Sequence, residues 1–226
     1  MFNFRVQIDN TRWNYTEILE MAYRSTDNTK NHKQTRRLEL LNAAIKLISS
    51  GGFANLTIDA VAQSAGVAIG TVYKYFDSKA FLCAEVFRVT TATEVAIIDK
   101  IASGSGAPNQ RLNRAIVTFS RRALRLRMQA YALIFEPIDP LVETERLKYR
   151  KAYAAIFERL LDEGIAAKVF ADQSPSISAT AIVGVISEAL IGPLTWSSEN
   201  AMTIDENQLI REIQTFCLRA VGAKVQ

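Results

Sequence analysis

The sequence predicts an all-α protein, and three observations lead there. Apolar residues recur at steps of three and four along most of the chain, and no stretch alternates apolar and polar residues with the period of a strand. Prolines and glycines cluster between these periodic stretches, as in Ser103–Pro108 (SGSGAP) and Glu136–Pro140 (EPIDP). Finally, Ala65-Gly66-Val67 separates two short helical stretches, and Gly66 can take the left-handed conformation that ends one helix and lets another leave at a steep angle.

Composition narrows the function. With 226 residues, 49% of them hydrophobic, the chain can bury a substantial core. Cys83 and Cys217 are too few and too unpatterned for a disulfide framework or a metal site, and each falls within an apolar helical pattern. The single histidine, His32, lies in a polar basic stretch, so no histidine-based catalytic or metal constellation can form. Neither a glycine-rich phosphate loop nor a nucleophile paired with a base is present. These features predict a non-enzyme without metal or cofactor. No apolar run looks long enough to span a membrane and no signal-peptide pattern is seen, so a cytoplasmic location is expected.

The elements follow in chain order. Residues 1–29 form an extension with some apolar content (Phe4, Trp13, Tyr15, Ile18, Leu19, Tyr23). TEILEMAYR within it can form a short helix, and Ser25–Asn31 reads as a polar linker. The extension either docks on the body or is disordered. In the segment from Thr57 to Lys79, TIDAVAQSAGVAIGTVYKYFDSK, Thr57 is a candidate N-cap and Asp59 suits the positive end of the helix dipole. Ile58, Val61, Ala62 and Ala65 form an apolar face. After the hinge, Val72 and Phe76 repeat that spacing and leave Gly70, Thr71, Tyr73, Lys74 and Tyr75 on other faces. Such a helix suits a nucleic-acid groove, because hydroxyls and a cation can reach phosphates or base edges. Ser78 caps the next helix, and Lys79 lies in its first turn, where a phosphate would relieve the conflict between cation and dipole.

At these residues the chain resembles the DNA-binding domain of the tetracycline-repressor (TetR) family. The family's recognition stretch runs small residue, any, Gly, Thr, apolar, Tyr, any, aromatic or His, Phe. Here it stands as Ala68-Ile69-Gly70-Thr71-Val72-Tyr73-Lys74-Tyr75-Phe76. The resemblance implies a supporting first helix at about Thr35 to Gly51, with Leu38, Leu41, Ala44, Ile45 and Ile48 as its core stripe and Phe53 plugging the three-helix core. It implies that Thr57, Tyr73, Tyr75 and Lys79 hold phosphates while Ile69, Gly70, Thr71 and Lys74 lie nearest the bases. Two positions depart from the pattern: Ala68 replaces a common capping Ser, and Ala80 replaces an acid that often follows the Lys.

Charge distribution agrees. The chain's net charge is +4, and the segment from Lys30 to Arg88 alone holds eight basic against four acidic residues. The whole excess falls on the expected DNA-binding domain, residues 30–80 and the turns that follow it. Lys30, Lys33, Arg36 and Arg37 read equally as a solvated face or as an arm; before a helix-turn-helix, a basic arm can reach a neighbouring minor groove.

Residues 81–226 read as the helical ligand-binding and dimerisation domain. A helix runs from Ser78 to about Ala102. The next, Asn109 to about Met128, turns Leu112, Ile116, Phe119, Ala123 and Leu126 inward. Gln129–Phe135 forms a short helix, and Leu141 to about Ala167 a long amphipathic one. Ser176–Leu194 is almost uncharged, and the last helix, Asp205 to about Val221, carries Leu209, Ile213, Phe216 and Ala220 at seam spacing. Both patterns fit either central core helices or helices that meet another protein. The family resemblance implies the latter, a homodimer through the last two helices, with Ile182, Val185 and Ala189 beside the seam residues. It also implies a small-molecule effector among the middle helices, for which Tyr131, Phe135, Tyr149, Tyr153, Phe157, Glu188 and Trp196 are candidate contacts. Arg121, Arg122, Arg125 and Arg127 read as a solvated basic face, with attraction of an acidic ligand such as an acyl thioester as the alternative. The functional expectation is a cytoplasmic, ligand-responsive regulator, a repressor on a palindromic double-stranded operator. A ligand-independent regulator or activator, a helical-bundle enzyme and a non-binding adaptor are the alternatives.

Overall fold

The computed structural model describes residues 15–195 and 205–223, with side chains from residue 32 onward. Among the described residues the regular elements are helical: α1 (Tyr15–Gly51), a 3-10 turn (Phe53–Asn55), α2 (Ile58–Ser64), α3 (Ile69–Tyr73), α4 (Lys79–Ala102), α5 (Pro108–Arg125), α6 (Arg127–Ile134), α7 (Pro140–Ala166), α8 (Pro175–Thr195) and α9 (Glu206–Ala220).

Two apolar cores organise them. The first gathers Leu40, Leu41, Ala44 and Ile48 of α1 with Phe53, Leu56, Val61, Val72 and Phe76, and is closed by Leu82, Val86 and Phe87 of α4. Ala132 of α6 and Val142 of α7 are buried in this same core, so the N-terminal unit is packed against the bundle rather than tethered to it. The second core lies among α4, α5, α7, α8 and α9 around Ile98, Leu112, Ile116, Phe157, Leu161, Ile186, Leu190 and Ile213. α4 belongs to both cores, a single 24-residue helix that crosses the expected boundary at residue 80.

The starts of the helices follow local chemistry. Thr57 Oγ1 accepts the Ala60 N–H (3.1 Å) to begin α2, and Ser78 Oγ accepts the Phe81 N–H (3.0 Å) to begin α4. Each cap contributes about 1 kcal/mol. Gly66 has φ 64°, and the Val67 N–H reaches the Ala62 carbonyl across it (2.9 Å), the hinge anticipated from sequence. α3 begins at Ala68 with no side-chain cap, as the missing Ser implied, and its regular part stops at Tyr73. Phe76 nevertheless remains fully buried, because a turn rather than a helix carries it back into the core.

Several expectations are corrected. Ser25–Asn31 is helix, continuous with α1, since nothing in its polar composition breaks the backbone ladder. Leu38 is 58% exposed, and Leu40 takes its place in the stripe beside the expected Leu41, Ala44 and Ile48. The fifth helix ends at Arg125; Leu126 leaves helical geometry (φ −112°, ψ 48°), is 40% exposed rather than buried, and separates α5 from α6. α8 is, by length and composition, a helix apolar enough to cross a membrane, contrary to the sequence reading. It packs on α7, α5, α6 and α9, burying Ala179, Ile182, Val183, Ile186, Leu190 and Leu194, and so serves as a core helix of the bundle.

Candidate nucleic-acid interface and effector cavity

Around α3 most of the expected DNA contacts reach solvent. Ile69 (46% exposed), Gly70, Tyr73 (51% exposed) and Lys74 are open to solvent, while Thr71 and Tyr75 are half-buried. Ala68 and Lys79 are exposed at either end, and Thr57 is exposed at the start of α2. A β-carbon on Gly70 would meet nothing within 4 Å, so this glycine keeps the outer surface of α3 low instead of relieving an internal clash. The geometry is that of a short recognition helix held from behind by Val72 and Phe76, with its outer side chains free.

The basic arm divides. Lys33 is exposed on α1, and Arg36 pairs with Glu39 one turn away (2.7 Å) where both are half exposed, an exchangeable contact. Arg37 is committed to the fold: its guanidinium lies 5.2 Å above the Phe76 ring and bonds the carboxylate of Glu85, which is 2% exposed. Arg88 holds the other Glu85 oxygen. Glu85 therefore ties α1 to α4 directly behind the recognition helix.

A cavity open to solvent lies among α4, α5, α6, α7 and α8. Its walls are mainly apolar: Phe87 and Ile98 of α4, Phe119 and Ala123 of α5, Ala130, Leu133 and Ile134 of α6, Val183 of α8. Its polar groups are few and placed. Glu94 and Arg122 face each other in a two-pronged pair (2.6 and 2.7 Å), and hydrogen bonding to that carboxylate raises the arginine's pKa above its usual range. The Phe119 and Tyr153 rings meet edge to face at 5.3 Å. Burial holds the Tyr153 phenol far above the ordinary tyrosine range, with Glu94 adding to the rise and Arg122 opposing it. Thr91 Oγ1 is buried on the wall without a hydrogen-bond partner among the described residues.

Three wall residues also bear on the DNA-binding unit. Gln129 Oε1 accepts from the Ser49 hydroxyl of α1 (2.7 Å). Tyr149 packs its ring on Phe87 (5.9 Å) and donates to the Arg88 carbonyl (3.0 Å). Burial lowers the pKa of Arg146, which bonds Glu143 (2.5 Å) and the carbonyls of Leu133 (3.1 Å), Ala132 (3.3 Å) and Glu136 (2.8 Å). Arg146 thus shapes the α6–α7 connection, and the Glu136 side chain extends from there to accept the N–H groups of Phe53 (2.8 Å) and Ala54 (3.0 Å).

Of the effector contacts expected from sequence, Tyr149 and Tyr153 line the cavity. Tyr131, Phe135 and Phe157 do not: Phe157 is 1% exposed in the second core, and the other two pack on that core's edge. Glu188 is exposed on the outer side of α8, since its neighbours Ser187 and Leu190 take the inward positions. Trp196 lies outside the described residues. Thr91, Glu94, Gln129, Arg146 and Arg150 were missed. The i, i+3, i+4 series Phe87-Thr91-Glu94-Ile98 and Arg146-Tyr149-Arg150-Tyr153 were the available signal, of which only the two tyrosines were taken up as contacts. Arg122, read as part of a solvated basic cluster, is a wall residue.

The expected dimer seam is similarly split. Ile182 and Ile213 are each 3% exposed within the chain, so they support the outer surface rather than form it. Val185, Ala189 and Leu209 are half-buried, whereas Phe216 (59% exposed) and Ala220 are exposed, as are Ile177 (73% exposed) and Ala181 of α8.

Comparison with known proteins agrees with this arrangement. Residues 40–86 match the family described as "Bacterial regulatory proteins, tetR family", and residues 105–190 match "Tetracyclin repressor-like, C-terminal domain". The chain is 30% identical over 178 residues to the HTH-type transcriptional repressor KstR of Mycobacterium tuberculosis, covering 76% of each chain. It is 29% identical over 176 residues to KstR of Mycolicibacterium smegmatis, covering 76% of this chain and 82% of that protein. In fold it is similar to the transcriptional regulator FadR of Bacillus subtilis, solved in complex with stearoyl-CoA, with a TM-score of 0.67 at 18% identity over 81% of this chain and 98% of that one. An exposed recognition helix, a continuous α4 joining it to a cavity, and two matched domains over most of the chain establish that the protein belongs to the tetR family of bacterial regulatory proteins and is a DNA-binding transcriptional regulator.

Proposed function

We propose that the protein is a cytoplasmic homodimeric repressor that holds a palindromic operator until a small, mostly apolar molecule enters the α4–α8 cavity. The observation that carries this reading is the double membership of α4. Its first turns close the core behind the recognition helix, and its Phe87, Thr91, Glu94 and Ile98 form a wall of the cavity. Thr91 lies twelve residues from Lys79 along one helix, about 18 Å, so displacement of the wall is transmitted as a tilt at the phosphate contact. Gln129, Tyr149 and Arg146 give the cavity three further routes to α1, α4 and the Phe53 turn.

In this reading Tyr73, Tyr75, Lys79 and Thr57 hold phosphates, Ile69, Gly70, Thr71 and Lys74 meet the bases, and Lys33 with Arg36 follows the backbone toward the minor groove. The outward residues of α8 and α9, Ile177, Ala181, Phe216 and Ala220, meet the same residues of a second copy. Two recognition helices then address two half-sites. The repressor names of the relatives favour repression over activation.

The test is a titration of the full-length protein with DNA from its own upstream region. Binding is expected to fall steeply with salt, and cell extract fractions or defined apolar metabolites are expected to release the DNA. Salt-insensitive binding would exclude the operator reading. Salt-sensitive binding that no compound alters would favour a ligand-independent regulator.

A further inference from the structure

From the charge balance of the cavity wall we infer that the effector is anionic, and that Arg150 holds its negative group. This inference rests on the effector-sensing reading above and adds the chemical class of the ligand.

Four charged residues line the cavity: Glu94, Arg122, Arg146 and Arg150. Glu94 and Arg122 neutralise each other through two short bonds. Arg146 is satisfied by Glu143 and by three backbone carbonyls. Arg150, one turn further along α7, is half-buried and has no hydrogen bond or ion pair among the described residues. Arg146, whose pKa Arg150 helps to depress, is a second cation and gives it no counter-charge. The wall therefore carries one uncompensated positive charge beside apolar surface, where a counter-charge gains more than it would in open water.

A second, independent feature lies on the facing helix. Thr91 is 6% exposed, lines the same cavity, and its hydroxyl lacks a partner among the described residues. A buried hydroxyl of this kind is satisfied when a ligand supplies an acceptor or donor. Phe119, Ile98 and Val183 line the apolar remainder. The complementary molecule has an apolar body, a hydrogen-bonding group near Thr91 and a carboxylate, sulfonate or phosphate-type anion at Arg150. A guanidinium is well matched to such oxyanions because its N–H groups can pair with two oxygens at once.

Two fluorescent probes that differ by one anionic group test the assignment on the full-length protein: 1-anilinonaphthalene-8-sulfonate and its neutral parent, N-phenyl-1-naphthylamine. The sulfonate is expected to bind about 10-fold more tightly, the scale of one charge-assisted hydrogen bond, and to displace the parent competitively. Arg150→Gln is expected to erase that preference while leaving the affinity of the neutral probe unchanged; Arg125→Gln, on an exposed position outside the cavity, is expected to keep it. Equal affinities in the unmodified protein overturn the anion site. So does a preference that survives Arg150→Gln, an equal loss of both probes, non-competitive binding, or no binding by either. These failures are distinct from failure of effector sensing, which is read separately as release of operator DNA: neutral compounds that release it while the sulfonate shows no preference would remove the anion site and leave the sensor intact.

Discussion

Glu136 and Phe53, 83 residues apart in sequence, meet where the bundle touches the DNA-binding unit: the carboxylate accepts the Phe53 N–H at 2.8 Å. It also takes the Ala54 N–H at 3.0 Å, so one side chain satisfies two backbone donors at the start of the 3-10 turn that leads into α2. Glu136→Ala is expected to leave both unpaired, costing about 1–3 kcal/mol and raising hydrogen exchange at those two amides. Glu136→Gln, which keeps an acceptor, is expected to cost less. Gly52→Ala should act on the same contact, since Gly52 has φ 69° and a β-carbon there would stand 2.6 Å from a Glu136 carboxylate oxygen. Unchanged protection at Phe53 and Ala54 in Glu136→Ala would show that the contact carries no energy.

Phosphate and base contacts differ in what they do to affinity. Lys79→Ala is expected to weaken binding to operator and unrelated DNA alike and to lower the salt slope by about 1. Tyr73→Phe, which removes one hydroxyl from a half-exposed ring, is expected to weaken binding by roughly 2- to 10-fold. The check is a salt titration of each variant by fluorescence anisotropy, and a sequence-selective loss in Lys79→Ala would contradict its assignment to phosphate.

Ile69 is 46% exposed at the start of α3, an apolar side chain where a reader of base edges would more usually carry a hydrogen-bonding group. The natural partner is a thymine methyl. Replacing individual thymines of the operator by uracil is expected to identify a position where loss of the methyl costs about 1 kcal/mol, and Ile69→Ala is expected to abolish that penalty. Uniform tolerance of uracil throughout the half-site would refute it.

Phe216 and Ile177 are among the most exposed large apolar side chains of the described residues, at 59% and 73%. Phe216→Asp is expected to shift the protein toward monomer in analytical ultracentrifugation and to weaken operator binding far more than half-site binding, because one subunit presents one recognition helix. A substitution inside the bundle, such as Ile213→Ala, is expected to cost about 2–5 kcal/mol of folding stability instead.

Burial pushes the thiols of Cys83 and Cys217 up to about 11 from an ordinary value of 9.0. The folded protein therefore resists an ionisation that the unfolded chain undergoes. The contribution is complete below pH 9 and is lost as pH rises from about 9 to 11, so denaturation midpoints are expected to fall across that window. Thiol reagents at pH 8 are expected to label neither cysteine until the protein unfolds. Rapid labelling of the native protein would place a thiol at the surface.

How far the residues could be read depended on how local their roles are. The caps Thr57 and Ser78, the Gly66 hinge and the uncapped start at Ala68 depend on neighbours within a few residues, and each stands as the sequence implied. The exposure of Tyr73, Lys74 and Lys79 was legible for the same reason, since each need only be left off the apolar face of its own helix or turn. The effector cavity was far less so. Phe157 and Tyr149 look alike in sequence, both aromatic on one amphipathic helix, yet one is sealed in the core and the other lines the cavity. Arg122 and Arg125 look alike as well, and only Arg122 finds a carboxylate on another helix.

By itself, then, the sequence determined the helical class, the punctuation of the helices, and the hinged motif with its outward hydroxyls and cations, because backbone propensity, capping and amphipathic period act over three or four residues. Tertiary structure decided which polar residues became a cavity wall, how Glu136 reaches Phe53, how Arg37 and Arg88 share Glu85, and which half of each apolar seam is left uncovered. Those outcomes depend on the rotation and crossing of helices far apart in the chain. A helix's own periodicity sets which residues share a face, but only its neighbours settle whether that face meets core, cavity or solvent.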